Sequence, residues 1–179
     1  MKYLIITLFI SSSLFAGEIS KYKRDLFGPG WKDFDGDCKS TRHEILTDFS
    51  TITPLYKSSK KCRVVRGRWI SMYTGDIHTK ARVLDIDHIV PVAWAWYHGA
   101  NEWDTEARIA FYNDPANLIA VEAKLNRQKS AKGPDKWLPP KNQCQYFARF
   151  LRIVKKYKLS LSEREFTEYK NKLNHFRCI

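Results

Sequence analysis

The 179-residue sequence has little glycine, proline or methionine, with 8, 7 and 2 of each. That scarcity excludes collagen-like and low-complexity chains. Acid is scarce relative to base: 19 Asp and Glu stand against 31 Lys and Arg, for a formal charge of +12. A disordered acidic chain is thereby excluded, and an acidic partner such as nucleic acid, a polysaccharide or a membrane surface is indicated. Long apolar runs are missing except at the N-terminus, which excludes a multi-span membrane protein. No CxxC pair occurs, and Cys178 beside His175 is the one cysteine near a histidine at ligand spacing, which argues against a zinc–thiolate site. No Glu sits in the paired-carboxyl context that a secreted, lysozyme-like glycosidase would need.

What is present points to one exported domain. Apolar residues make up 44% and aromatics 14%, enough for a core, and a chain of this size buries about 70% of its unfolded surface. Met1-Lys2, an apolar stretch from Tyr3, and small residues near Ala16-Gly17 read as a signal peptide over residues 1–16, leaving 17–179 as a single domain. The expected location is secreted or periplasmic, with no membrane attachment after cleavage and a monomeric state. Cys38, Cys62, Cys144 and Cys178 form an even set suited to an oxidising compartment, so two disulfides are expected. Three pairings are open; the sequence-local one joins Cys38 to Cys62 and Cys144 to Cys178.

Periodicity predicts a helix over 41–49, strands over 63–72 and 81–90 around a Gly75-Asp76 turn, and short helices over 93–97 and 104–112. A strand over 117–121 and a helix over 122–129 follow. Phe147, Phe150, Leu151 and Val154 mark a helix over 143–157. Ser162 to Glu165 fits a capping box opening a second helix, with Phe166, Tyr169 and Leu173 spaced to face a core. The tryptophans Trp69, Trp94, Trp96 and Trp103 are expected in the core rather than stacked on bases.

The chemistry-bearing pattern is Asp85-Ile-Asp87-His88-Ile-Val-Pro91, then Asn117-Leu118, then Asn126-Arg127-Gln-Lys129. Adjacent Asp87 and His88 can serve one site only if the strand ends or bends there, and Pro91 favours such a break. Asn126 has poor helix propensity in the middle of a predicted helix, which favours a task for its side chain.

With Trp31-Lys-Asp-Phe-Asp-Gly-Asp-Cys-Lys-Ser-Thr-Arg42, Gly67-Arg-Trp69, Asn113-Asp114, Gly133-Pro134 and Trp137-Leu-Pro139, this pattern resembles the HNH endonucleases. The resemblance is nearest to the secreted branch related to the HNH domain of GmrSD-type restriction enzymes. It implies an α+β fold with a ββα-metal (His-Me finger) core, an added N-terminal strand and helix, and a C-terminal helical hairpin. It further implies that His88 is the general base, that Asn117 fixes the loop holding that base, and that Asp87 and Asn126 are metal ligands. Asn126 stands where the family name has its final His. An amide oxygen in place of imidazole favours a hard ion, Mg²⁺ or alternatively Mn²⁺. The implied substrate is DNA, with RNA open, cut with little sequence preference to leave 5′-phosphate and 3′-hydroxyl ends.

Arg108, Arg127 and Lys129 are candidates for contacts to the scissile phosphate. The segment from Lys57 to Arg68 carries six cations and no acid, as a phosphate track would. Asp85 is left outside the ligand set, Glu122 is read as a solvated charge, and Arg42 either reaches the site or pairs with an aspartate. Asp33, Asp35 and Asp37 faintly resemble a calcium loop whose glycine is misplaced. The rival reading is a non-catalytic cationic protein that binds nucleic acid or another polyanion. It explains the charge and leaves Asp87, His88, Asn117 and Asn126 without a role.

Overall fold

A computed structural model describes residues 19–178. The leader expected over residues 1–16 lies outside them. Among the described residues, two small sheets and six α-helices make an α+β fold. The first sheet has the order β1–β2–β3, from Leu55–Tyr56, Val64–Ile70 and Ile77–Lys80, all antiparallel. The second is the antiparallel pair of β4 (Leu84–His88) and β5 (Leu118–Glu122). The helices are α1 (Thr41–Asp48), α2 (Val92–Trp96), α3 (Thr105–Asn113), α4 (Ala123–Lys129), α5 (Gln143–Lys156) and α6 (Glu163–His175).

The expected helices appear within a residue or two of their predicted bounds. The strand expected over 81–90 differs: Ala81–Val83 is a single 3₁₀ turn, and β4 is the part that follows. Gly75 does close a hairpin, but its second strand is β3, a polar segment without the apolar alternation that marks strands in sequence. The chain then leaves that sheet at Ala81 and begins the other.

Both faces of the β4–β5 pair are covered, which explains the unbroken apolar run Leu118–Val121. Leu84, Ile86, Leu118 and Ala120 pack with Ile45 and Leu46 of α1 and with Trp69 of β2. Ile119 and Val121 face the larger cluster, which takes in α2, α3 and the aromatic stripe Tyr146, Phe147 and Phe150 of α5. Gly67 is required by packing, since a Cβ there would stand 2.7 Å from the Trp69 ring and from Ser50 Oγ. Trp69, Trp94 and Trp96 are buried as expected.

Two disulfides, Cys38–Cys62 and Cys144–Cys178, realise the sequence-local pairing. They close loops of 24 and 34 residues, worth about 3 to 4 kcal/mol each in the chain-entropy account. The second joins α5 to the end of α6. Tyr169 of α6 packs edge-on against Phe147 and Phe150, whereas Phe166, one turn earlier, is 63% exposed. The α5 aromatics that receive Tyr169 form no ring contact with Phe166 among the described residues, so the expected core face of α6 begins a turn late.

Ser162 caps α6 reciprocally: its hydroxyl accepts from the Glu165 amide, and the Glu165 carboxylate accepts from the Ser162 amide at 3.0 Å. Replacing Ser162 by Ala should lower stability by about 1 kcal/mol in denaturant unfolding. Replacing exposed Lys170 on the same helix by Gln should leave stability unchanged.

Candidate active site

Strand β4 ends at His88, and the ending lets neighbouring side chains from opposite strand faces open on one cleft. A cleft of about 450 Å³ is lined by Asp87, His88, Asn126, Arg24, Tyr22 and residues 91–93, among others. Asp87 and His88 are 6% and 5% exposed. The pairing Asp87↔Ile119 and His88↔Leu118 sets their register, and α4 follows β5 directly, laying Asn126 and Lys129 across the face that bears Asp85 and Asp87. The three-residue spacing of Asn126 and Lys129 puts both on one side of α4.

The hydrogen bonds around His88 settle its tautomer. Nε2 lies 2.8 Å from the Tyr112 carbonyl oxygen, which can only accept, so Nε2 carries the proton and Nδ1 keeps its lone pair. Burial pushes the imidazole pKa down to about 3, with the Lys129 and Arg24 cations adding to the shift. The ring is therefore neutral. Trp31 stacks on it with centroids 5.2 Å apart and an interplanar angle of 12°, while Tyr112 flanks it at 4.6 Å. Trp31 is held by its neighbour: the Lys32 amide donates to Asn113 Oδ1 at 3.2 Å, and the Thr41 hydroxyl donates to the same oxygen at 2.7 Å.

Asn117 is wholly buried and clamps the backbone just past His88. Its Oδ1 accepts from the Val90 amide at 2.9 Å, its Nδ2 donates to the Val90 carbonyl at 3.2 Å, and its own carbonyl accepts from the Ile89 amide at 2.8 Å. The side chain thus acts as a short extra strand rung where the β ladder has stopped.

Asp87 receives donors on both oxygens, Tyr73 OH on Oδ2 and Lys129 Nζ on Oδ1 at 3.0 Å. Lys129 is 0% exposed and also donates to the His88 carbonyl at 2.7 Å. Burial pushes the Asp87 carboxyl up and the Lys129 ammonium down, and each group's charge opposes the other's shift. Lys129, expected at the scissile phosphate, is instead enclosed as the structural partner of Asp87. Arg127 is exposed on α4. Arg108 does not line the cleft; its guanidinium lies 5.6 Å from the centre of the Trp96 ring.

Asn126 donates from Nδ2 to Asp85 Oδ2 at 3.1 Å. A carboxylate accepts only, so the amide must turn its NH₂ to Asp85, which leaves Oδ1 free. Asp85 therefore orients Asn126. Arg42 donates to the Leu84 carbonyl at 2.9 Å, and Asp85 offsets the lowering of the Arg42 pKa that burial causes. The oxygen donors available to a cation in the cleft are the open lone pairs of Asp87 and Oδ1 of Asn126. Glu122 is not solvated as expected: Ser71, Thr74 and His78 bond to it, outweighing burial and holding its carboxyl below the usual range. The Asp33, Asp35 and Asp37 carboxylates do gather within 4.8 Å of one another on an exposed turn, but the Gly36 and Cys38 amides and the Lys39 ammonium already occupy them.

The burial of Lys129 predicts a sharp contrast along α4. Lys129→Met strands the Asp87 charge and should cost about 3 to 5 kcal/mol in chemical denaturation. Arg127→Gln, two residues away and exposed, should change stability by less than about 0.5 kcal/mol.

Residues 40–173 match the family described as GmrSD restriction endonucleases, C-terminal domain. The chain is also 36% identical over 157 residues to an uncharacterized secreted protein of Arthroderma benhamiae (strain ATCC MYA-4681 / CBS 112371), covering 86% of this chain and 74% of that one. No solved structure matches. His88, Asn117, Asn126 and Lys129 all fall inside the matched segment, and the chain belongs to the family of GmrSD restriction endonuclease C-terminal domains.

Proposed function

We propose that this protein is an exported, metal-dependent endonuclease that hydrolyses phosphodiester bonds of DNA with little sequence preference, and that β4, β5 and α4 form a ββα-metal core of the HNH type. The observation that carries the reading is the state of His88. Its Nε2 proton is committed to the Tyr112 carbonyl, and its Nδ1 makes no hydrogen bond among the described residues while the side chain lines a cleft together with Asp87 and Asn126. One committed and one free nitrogen is the form that a general base requires.

In this reading Nδ1 of His88 takes a proton from a water as its oxygen attacks phosphorus. The P–O3′ bond breaks, the departing oxygen takes a proton from solvent, and His88 later returns its proton to solvent, giving a 5′-phosphate and a 3′-hydroxyl. Trp31 and Tyr112 limit ring rotation, and Asn117 holds the backbone behind the base so that Nδ1 stays aimed. The donor set fits a hard divalent ion: Asp87 offers carboxylate lone pairs beyond those taken by Tyr73 and Lys129, and Asp85 turns the Asn126 amide so that its oxygen is free. Bound there, Mg²⁺ or Mn²⁺ would supply Lewis-acid stabilisation of charge on the phosphate and the departing oxygen. Arg24, on the cleft wall, and Arg127 are the cations nearest in kind to a phosphate contact. Export is supported by the two disulfides and by the secreted relative.

The test is conversion of supercoiled plasmid by the oxidised protein with Mg²⁺ or Mn²⁺. Nicking should disappear with EDTA and fall by about 10² to 10⁴ in His88→Ala. Failure of the folded, oxidised protein to nick with either ion overturns the proposal, and parallel single-stranded DNA and RNA substrates rank the substrate classes.

A further inference from the structure

A second cleft, of about 830 Å³, shares none of its lining residues with the cleft at His88. Arg42, His43, Lys57, Arg63, Arg66, Lys80 and Arg82 surround it, together with Val64, Val65 and Ala81, and no acidic residue does. Among the described residues, Lys57, Arg63, Arg66, Lys80 and Arg82 form no ion pair, and all five are exposed. His43 accepts the Val64 amide at Nδ1 and so carries its proton on Nε2, adding a neutral donor.

The arrangement works against the sheet that carries it. Arg66 lies directly opposite Lys80 in the β2–β3 register. The Lys57 amide bonds to the Arg63 carbonyl at 2.8 Å, so a second like-charged pair faces across the β1–β2 hairpin. Directly opposed like charges destabilise a sheet. Two such pairs converge on one hollow with no carboxylate between them, and a polyanion lying there would relieve their repulsion. The Cys38–Cys62 disulfide ties the Lys57–Arg63 turn to the segment before α1, which fixes this wall.

We propose that this basic cleft is a second, non-catalytic binding site that takes the phosphodiester backbone of the nucleic acid flanking the bond to be cut. The inference rests on the nuclease reading for the identity of its ligand. Strand β4 connects the two sites. Its first end follows Ala81-Arg82 and accepts from Arg42 at the Leu84 carbonyl, while its last residues are Asp87 and His88. Five extended residues span about 14 Å. The cleft would hold backbone phosphates flanking the scissile one, and would govern affinity without touching the reacting atoms.

The test uses the full oxidised chain and a fluorescein-labelled duplex in EDTA, with anisotropy followed as NaCl is raised. The double variant Arg66→Gln/Lys80→Gln should bind more weakly, with a slope of log K against log salt shallower by about two. Arg63→Gln/Arg82→Gln should behave alike, and the distant control Lys170→Gln should keep the wild-type slope. Because repulsion is relieved, the Arg66→Gln/Lys80→Gln variant should melt at or above the wild-type temperature, so weakened binding is not unfolding. In plasmid nicking with Mg²⁺ the same variants should raise KM and keep kcat. Wild-type affinity and slope in both double variants, or an equal loss in Lys170→Gln, overturns the proposal, as does tighter, cleft-dependent retention of a sulfated polysaccharide than of duplex. Wild-type protein that binds duplex through this cleft yet never nicks would sink the nuclease reading and leave the binding site standing.

Discussion

Burying the Lys129 ammonium is tolerable only while the Asp87 carboxylate and the His88 carbonyl hold it, and that requirement locks α4 against the end of β4 in one register. A shift of α4 along the sheet would leave charge unpaired on both sides. One turn earlier on the same helix face, Asn126 is then delivered to Asp85, and its oxygen is turned outward. Lys129 thus touches no solvent and needs to touch no substrate, yet it sets where the cleft's polar groups stand.

The groups around His88 come from segments far apart in the chain. Tyr112 of α3 fixes the ring proton, and Trp31 covers the ring face. Asn113, next to Tyr112, anchors the backbone beside Trp31. The lead-in before α1 is therefore part of the site's wall rather than a loose approach to it. Tyr73, at the end of the first sheet, reaches Asp87 and brings that sheet into the same polar network.

How much of this was legible in the sequence depends on how local the determining contact is. The order of strand, turn, strand and helix around Asp87, Asn117 and Asn126 is carried by short-range patterning, and so is the capping box of α6; both could be read. The even cysteine count could be read as two disulfides, but three pairings stayed open in the sequence, and only the fold brings Cys38 to Cys62 and Cys144 to Cys178. Lys129 could not be read, because an exposed and a buried lysine look alike in a basic sequence, and only its contacts with Asp87 and His88, 42 and 41 residues away, distinguish them. Arg24, Trp31 and Tyr73 were missed for the same reason. Strand β3 lacked apolar alternation because most of it is exposed, and Phe166 obeyed helical spacing without a core beside it.

The opposed cations of the first sheet have a consequence for how solution conditions act on the molecule. Their mutual repulsion is carried by exposed side chains, so dissolved ions screen it within about 10 Å at 0.1 M. Rising ionic strength should firm this sheet while it loosens the attraction of the same side chains for any polyanion. The conditions that best preserve the fold are in this respect the ones that least favour its use.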